Sequence, residues 1–513
     1  MTARTLMVMG ASSSAGKSLL VTALCRIYAR RGWKVAPFKA QNMSNNAAVC
    51  RGGEIGRAQA VQAFAAGIEP SVEMNPVLLK PEADHRSQVV VLGKVWETLP
   101  ARRYYDYKQS LWQVVASSLD QLRAKYDLVV IEGAGSPAEL NLHKNDIVNL
   151  AVARYARSPS LLVGDIDRGG VFAQLLGTLW LLEPEDRRLI RGLIVNKFRG
   201  DIRLFTEGVK MLEERGGAPV LGVVPYLHDH GIAEEDAVAV EGQSALPETG
   251  GLDLVVIRLP RISNFDDFDP LVMTPGVRVR YVDAPEWIRQ PHAILLPGTK
   301  STMADLLWLH ERGLSAAICA LARRGTPVVG VCGGYQMLGE RILDPLHVES
   351  SRDEVPGLNL LPIQTTFAGA KAAYRSEARV IGGHGFWQGL KGQTLSGYEI
   401  HMGQTAAVEG AAPDALFEII QREGMSARLA DGFCSPDGRI FGCYLHGLFD
   451  HDGFRRAWLA SLVNPETGDG AVQPAFPAAA FGDLRRAAFD RLADAVESAL
   501  DMARLDALLD EPL

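Results

Sequence analysis

Three groups of residues in this chain have the types and spacing that chemistry needs. The first is Gly330-Val331-Cys332-Gly333-Gly334. It follows the short apolar run Pro327-Val328-Val329 and precedes Tyr335-Gln336-Met337-Leu338-Gly339, which reads as the opening of a helix. Gly-x-Cys-x-Gly at such a junction is the cysteine form of a nucleophile elbow, in which glycines permit a sharp strand-to-helix turn that lifts the central side chain into the open. The positive end of the helix dipole favours a thiolate there, and nearby backbone N–H groups can receive an oxyanion. The alternative is a buried cysteine packed as a small hydrophobe. Against that alternative stands the second group, Ile440-Phe441-Gly442-Cys443-Tyr444-Leu445-His446-Gly447. Its His446 closes an apolar run, placed to act as base for a thiol.

The third group is Ala11-Ser12-Ser13-Ser14-Ala15-Gly16-Lys17-Ser18, lying between the apolar run Leu6-Met7-Val8-Met9 and a helical pattern from Ser18 to Arg31. This is a phosphate loop with Ala in place of the first Gly, and with Gly10 just before it. Backbone N–H groups from Ser14 to Ser18 would cradle phosphates, Lys17 would reach the β- and γ-phosphates, and the Ser18 hydroxyl would bind Mg²⁺. The strand–loop–helix context makes a nucleotide site the reading.

These groups need elements to hold them. Lys34–Phe38, Leu128–Ile131, Leu161–Val163, Leu193–Val195 and Val220–Val223 are short, apolar and β-branched, and their spacing implies crossover helices and a mostly parallel sheet. Ligands of such sheets bind beyond the carboxyl ends of the strands. The residues there are Lys39, Gln41 and Asn42; Glu132-Gly133-Ala134-Gly135; Asp165 and Asp167; and Asn196-Lys197. Glu132 ends an apolar strand as an acidic Mg²⁺ ligand should, and Lys39 suits a phosphate or a substrate carboxylate. Glu54 to Ala66 reads as a helix and Asn75 to Pro81 as extended chain; Arg57, Lys80, His85 and Arg86 are either contacts for an anionic substrate or solvated surface. A second α/β pattern runs through Leu254–Ile257, Val277–Tyr281 and Ala293–Leu296 to the Cys332 strand, with Pro297-Gly298-Thr299-Lys300 turning off the third and a helix beginning at Thr302. Phe481 to Leu509 is expected to form an amphipathic packing helix. His228-Asp229-His230 is a possible metal cluster, though a solvated loop is the simpler reading. The expected organisation is therefore a nucleotide-binding domain over 1–232, an acidic linker over 233–251, a second α/β domain over 252–465 and a helical tail over 466–513.

At 513 residues the chain is too long for one core. Its 53 Lys and Arg against 60 Asp and Glu give a formal charge of −7, which offers no basic footprint for nucleic acid. The cysteines at 25, 50, 319, 332, 434 and 443 form no Cys-x-x-Cys pair, so neither zinc nor a disulfide framework is indicated. No apolar run approaches the ~20 residues of a membrane span, and no signal-peptide pattern opens the chain. A cytoplasmic protein without membrane or nucleic-acid partners is the expectation.

Together the motifs resemble the cobyric acid synthase group, the glutamine-dependent amide ligases of cobalamin biosynthesis, over nearly the whole chain. The first half is similar to the dethiobiotin-synthetase type of phosphate-loop fold through Ala11–Ser18, Phe38-Lys39-Ala40-Gln41-Asn42-Met43-Ser44-Asn45-Asn46 and Glu132–Glu139. The second is similar to a class I, triad-type glutamine amidotransferase through Leu296-Pro297-Gly298, Gly330–Gly334 and Tyr444–Gly447. Arg261–Leu271 and Gly397–Gly403 also resemble the group. The resemblance implies that Cys332 and His446 release ammonia from glutamine, with N–H groups near Gly298, Thr299 and Gly333 holding the oxyanion. It implies that ATP, bound by Ser14, Ala15, Gly16, Lys17, Ser18 and Asn196, activates a substrate carboxylate, with Mg²⁺ held by Ser18 and Glu132 and with Glu54 or Asp165 as further acids. Lys39, Gln41, Asn42 and Lys80 would face the substrate. That substrate is a corrinoid, adenosylcobyrinic acid a,c-diamide, amidated at its b, d, e and g carboxylates; the cobalt belongs to it. One position departs from the amidotransferase pattern: where triad enzymes carry Glu two residues beyond the histidine, this chain has Leu448. A Cys–His dyad is therefore expected, with Glu399 or Asp450 as candidate orienters. The rival readings are cobyrinic acid a,c-diamide synthase and a partitioning-type switch ATPase carrying a decayed amidotransferase domain.

Overall fold

The run Leu6–Met9 lies in the strand Arg4–Gly10, whose residues from Thr5 onward are all buried, as a strand covered on both faces requires. In the computed structural model, which describes residues 2–83, 86–141, 146–228, 230–232, 251–463 and 479–511, this strand is central to a six-stranded sheet. The order is Val220–Pro225, Ile190–Phe198, Ser160–Asp165, Arg4–Gly10, Leu128–Glu132, Val35–Phe38, and every pairing is parallel. The chain ends of the strands therefore lie together at one edge, where Gly10, Glu132, Asp165 and Asn196 stand. The expected helix over 54–66 is shorter: Gly53–Gly56 is extended, and the helix is Arg57–Ala65. A second small sheet, which sequence reading did not anticipate, joins Gln41–Met43, Val77–Ala83, Arg86–Val91 and Lys94–Pro100.

A second parallel set runs Val277–Val282, Leu252–Ile257, Ala293–Leu296, Val328–Val331, Ile440–Cys443. Beyond Ile440–Cys443 the sheet turns antiparallel through Met425–Cys434, Asp414–Arg422 and Ile363–Val380, the last pairing with Thr394–Ala407. This antiparallel wing separates Cys332 from His446 in the chain. His446 is not at the end of the Ile440 strand. That strand stops at Cys443, and Leu445–His446 pairs instead with Thr394–Ala407, setting His446 opposite Tyr398.

The chain divides into two units whose borders do not follow the sequence halves. One comprises Met1–Ser44, Gly52–Ala233 and Arg485–Leu513; the other Asn45–Arg51 and Glu234–Leu484. The expected linker lies, except for Gly251, outside the described residues. The expected single tail helix is two, Phe481–Ala499 and Met502–Asp510, and from Arg485 on it belongs to the first unit. Asp490 and Glu497 pair with Arg26 and Arg31, and Asp494 with Arg30. Such partly exposed pairs stabilise by ~0–1 kcal/mol each. Burying Phe489, Leu492, Val496 and Leu500 contributes about 1.5–3 kcal/mol apiece, so the apolar face holds the helix and the charges set its register.

Candidate active sites

Cys332 joins the strand Val328–Val331 to the short helix Gly333–Met337 with φ +52° and ψ −109°. A non-glycine residue there costs about 1–3 kcal/mol, so its surroundings must impose it. They do so by hydrogen bonds, Cys332 N–H to Cys443 O at 2.9 Å and Gln336 N–H to Cys332 O at 3.0 Å. They also do so by close approach: a Cβ on Gly330 would sit 2.6 Å from Gly334 O, and one on Gly334 only 2.0 Å from Leu296 O. The thiol is largely buried and donates to Ile400 O at 3.4 Å.

The His446 imidazole is buried, and its Nδ1 lies 2.7 Å from Asp267 Oδ2. Asp267 Oδ1 accepts the Gly447 N–H at 2.9 Å, so both carboxylate oxygens are committed. A proton on Nδ1 directed at Asp267 leaves Nε2, buried and otherwise without a protein hydrogen bond, for the Cys332 thiol. Burial pulls the imidazole pKa down; the charge and hydrogen bond of Asp267, then the Cys332 side chain, outweigh it and push it up to about 10. The His446 imidazole therefore holds a proton more firmly than a free imidazole does, as a base for a neighbouring thiol must.

The candidate orienters Glu399 and Asp450 are not where His446 needs them. Tyr398 opposes His446 and stacks on it, 4.7 Å between ring centroids at 5°, so its neighbour Glu399 points to the other strand face. There Glu399 accepts from Ser376 at 2.5 Å and pairs with Arg422. Burial raises its pKa, but hydrogen bonds from His401, Arg422 and Ser376 hold it down at about 2. Asp450 is exposed. The third member is Asp267, inside the Arg261–Leu271 stretch. The buried doublet Asp266-Asp267 after an apolar strand was a detectable signal, but not one that says which acid reaches a histidine 179 positions later.

Gly298, Thr299 and Gly333 converge on the same spot. A Cβ on Gly333 would lie 3.1 Å from Thr299 N, and one on Gly298 3.6 Å from the His446 ring. Thr299 is held by bonds from its Oγ1 to Arg261 O (3.0 Å) and Asp305 Oδ2 (2.5 Å).

In the first unit, the loop before the helix Lys17–Arg30 ends at Gly16, φ +96°. Lys17 Nζ folds back to within 3.4 Å of Ser12 O and 3.3 Å of Gly135 O. Ser18 Oγ donates to Glu132 Oε1 at 2.8 Å, the distance at which Lys39 Nζ also reaches it, and Gln62 Nε2 reaches Oε2 at 2.5 Å. Burial raises the Glu132 pKa, yet Lys39, Gln62 and Ser18 bring it net below the ordinary value. Gln62 was not foreseen; on the Ala-rich helix Arg57–Ala65 nothing in its spacing marks it. Asn196 and Lys197 brace the loop from outside, through Nδ2 to Ala15 O (2.8 Å) and Nζ to Ser14 O (2.7 Å). The alternative acids are occupied by cations, Asp165 by Lys197 at 2.9 Å and Glu54 by Lys80 at 2.5 Å, the latter pair buried. Asn42 bonds Gln59 at 3.0 Å, Gln41 is half-buried and Arg57 opens its helix. His85 and Asp229 lie outside the described residues. The His228 ring packs at a tilt against Tyr226, 4.6 Å between centroids at 45°, and no group of three or more metal-ligating side chains occurs among the described residues.

A hydroxyl–carboxylate pair at a phosphate loop, and a Cys–His–Asp set at a nucleophile elbow, define a class: glutamine-hydrolysing amide ligases. The comparisons agree. Residues 6–238 match the CobQ/CobB/MinD/ParA nucleotide binding domain, and 253–454 the CobB/CobQ-like glutamine amidotransferase domain. The chain is 55% identical to the cobyric acid synthase of Chloroflexus aurantiacus over 99% of this chain and 100% of that one. It is 51% identical to that of Sorangium cellulosum over 99% of each. It is 47% identical to that of Desulforamulus reducens over 99% of this chain and 98% of the other. The chain belongs to the cobyric acid synthase family.

Proposed function

We propose that this chain uses ATP and glutamine to convert carboxylates of a corrinoid to amides, specifically the b, d, e and g carboxylates of adenosylcobyrinic acid a,c-diamide. The observation that carries the reading is the Cys332–His446–Asp267 set intact on a chain that also holds a phosphate loop and spans its cobyric acid synthase relatives end to end. A switch ATPase would have no use for a preserved thiol–imidazole–carboxylate set.

The Cys332 thiolate attacks the glutamine carboxamide carbon, and the oxyanion is met by N–H groups near Gly298, Thr299 and Gly333. The C–N bond breaks as the His446 imidazolium gives its proton to the leaving nitrogen, releasing ammonia and leaving a thioester. Water then attacks with His446 as base, and glutamate leaves. In the first unit, backbone N–H groups of Ser14–Ser18 hold the ATP phosphates, and Lys17 follows the transferred group. The substrate carboxylate takes the γ-phosphoryl group, since a free carboxylate is too poor an electrophile for ammonia. Ammonia then displaces phosphate. The oxygens of Ser18 and Glu132 suit Mg²⁺, which would offset phosphate charge; Lys39, now on that carboxylate, would turn toward a phosphate or the substrate.

The test is mass spectrometry of the a,c-diamide incubated with ATP, Mg²⁺ and glutamine. Four OH-to-NH₂ replacements are expected, each consuming one ATP and one glutamine. A product with only two new amides, formed from cobyrinic acid and not from its a,c-diamide, would assign the other synthase activity.

A further inference from the structure

Residues 45–51 come from the first half of the sequence but belong to the second unit. Their strand Ala47–Cys50 lies against Ile363–Val380 and Thr394–Ala407, the latter carrying Tyr398 and Ile400. Asn46 Oδ1 accepts the Asn264 N–H at 2.7 Å, and Asn264 Oδ1 accepts the Ala47 N–H at 3.4 Å. Both asparagines are buried, and Asn264 is held with φ +51°. From that conformation Asn264 does two things. Its carbonyl accepts the Asp267 N–H at 3.2 Å, opening the turn that presents Asp267, and its Nδ2 donates to the Tyr398 hydroxyl at 3.0 Å.

The bond to Asp267 fixes the edge of the His446 ring but leaves it free to rock about that bond. The parallel Tyr398 ring fixes the face. We infer that Asn46, Asn264 and Tyr398 are positioning residues for His446, so that glutamine hydrolysis in the second unit depends on a short peptide supplied by the first half. This inference rests on the glutaminase role proposed for Cys332 and His446. The peptide follows Gln41–Met43, the segment after the Lys39 strand end, with only Ser44 between, so the two chemistries share one run of backbone.

The test uses the full chain and two rates: glutamate release from glutamine, and ATP-dependent amidation supported by ammonium chloride. Asn46→Ala and Tyr398→Phe should each lower kcat for glutamate release about tenfold, with little change in KM and none in the ammonium-supported rate, since displacing a reacting group by a fraction of an ångström costs that much. Asn46→Asp, which keeps the accepting oxygen, should retain more activity than Asn46→Ala. Tyr398→Leu, which removes the ring as well, should also lower the pH at which the alkaline limb of glutamate release falls. Wild-type kcat in Asn46→Ala and Tyr398→Phe, or an unshifted alkaline limb in Tyr398→Leu, would overturn the inference. So would equal losses in both rates, which would mark a merely structural role. Glutamate release that survives Cys332→Ala would instead sink the glutaminase reading beneath it.

Discussion

Replacing Asp267 by Asn keeps the shape of the site and removes its charge. Two unit charges ~4 Å apart at an effective dielectric of ~20 interact by about 4 kcal/mol, roughly a thousandfold in proton affinity. An imidazole pKa of about 10 would therefore fall to near neutrality or below, since burial still opposes the charge. The amide adds a second fault. Asp267 accepts from both His446 Nδ1 and Gly447 N–H, and an amide has one oxygen for the two. If that oxygen stays on Gly447, the NH₂ group faces Nδ1 and drives the proton to Nε2, the tautomer that cannot take a proton from Cys332. Asp267→Asn should thus lose glutamine-dependent amidation by about 10²–10⁴-fold, as loss of the orienting acid does in other triads. The ammonium-supported rate should stay intact, and the alkaline limb of residual glutamate release should move down by more than one pH unit. The linked stability has a definite sign. The raised imidazole pKa stabilises the fold fully below its ordinary value of 6.5, and that contribution disappears as pH rises through about 10. Thermal unfolding followed between those limits should show this slope in the wild type and a weaker one in the variant. A variant retaining a third of the glutamine-dependent rate with an unchanged pH profile would refute the role given to Asp267.

Cys332→Ala should abolish glutamine-dependent amidation and spare the ammonium-supported reaction in the same assay. Lys17→Ala should abolish amidation with either nitrogen source while glutamate release persists, measured side by side. Glu399→Gln removes the charge that pairs with the partly exposed Arg422 and should lower the unfolding temperature, with a cost of about 1.5–3 kcal/mol, while leaving the pH profile of glutamate release in place, because Glu399 faces away from His446.

The parts of this molecule that could be read from the sequence are those imposed by local geometry. Gly330 and Gly334 are glycines because the elbow admits no Cβ, and Gly16-Lys17-Ser18 stand where a strand hands over to a helix. Continuous apolar runs marked the parallel strands. What escaped depends on distance along the chain. Asp267 reaches His446 only through the fold, and the amidotransferase spacing rule pointed to Leu448 instead. Gln62 is uncharged on a buried alanine-rich helix, so neither charge nor periodicity distinguished it. The antiparallel wing between Cys332 and His446 carries mixed, half-exposed strands with register shifts, which blur the alternation that would reveal them. The tail broke at Leu500-Asp501 because Asp501 caps a second helix through Arg504 N–H, a local bond that its apolar spacing overrides on paper.

The return of Arg485–Leu513 to the first unit has a consequence for how the protein is made. A ribosome completes Ala233, then 485 − 233 = 252 further positions, before Arg485 appears. At ~5–20 residues per second this is a wait of about 13–50 s. Throughout it the helix Lys17–Arg30 lacks Asp490, Asp494 and Glu497, and the surface that will cover Phe489 and Val496 stands open to solvent. The second unit needs only residues 45–51 and 234–484, all of which emerge earlier. Assembly of the nascent chain therefore finishes in the reverse of its reading order, and the nucleotide-binding unit is the last to close.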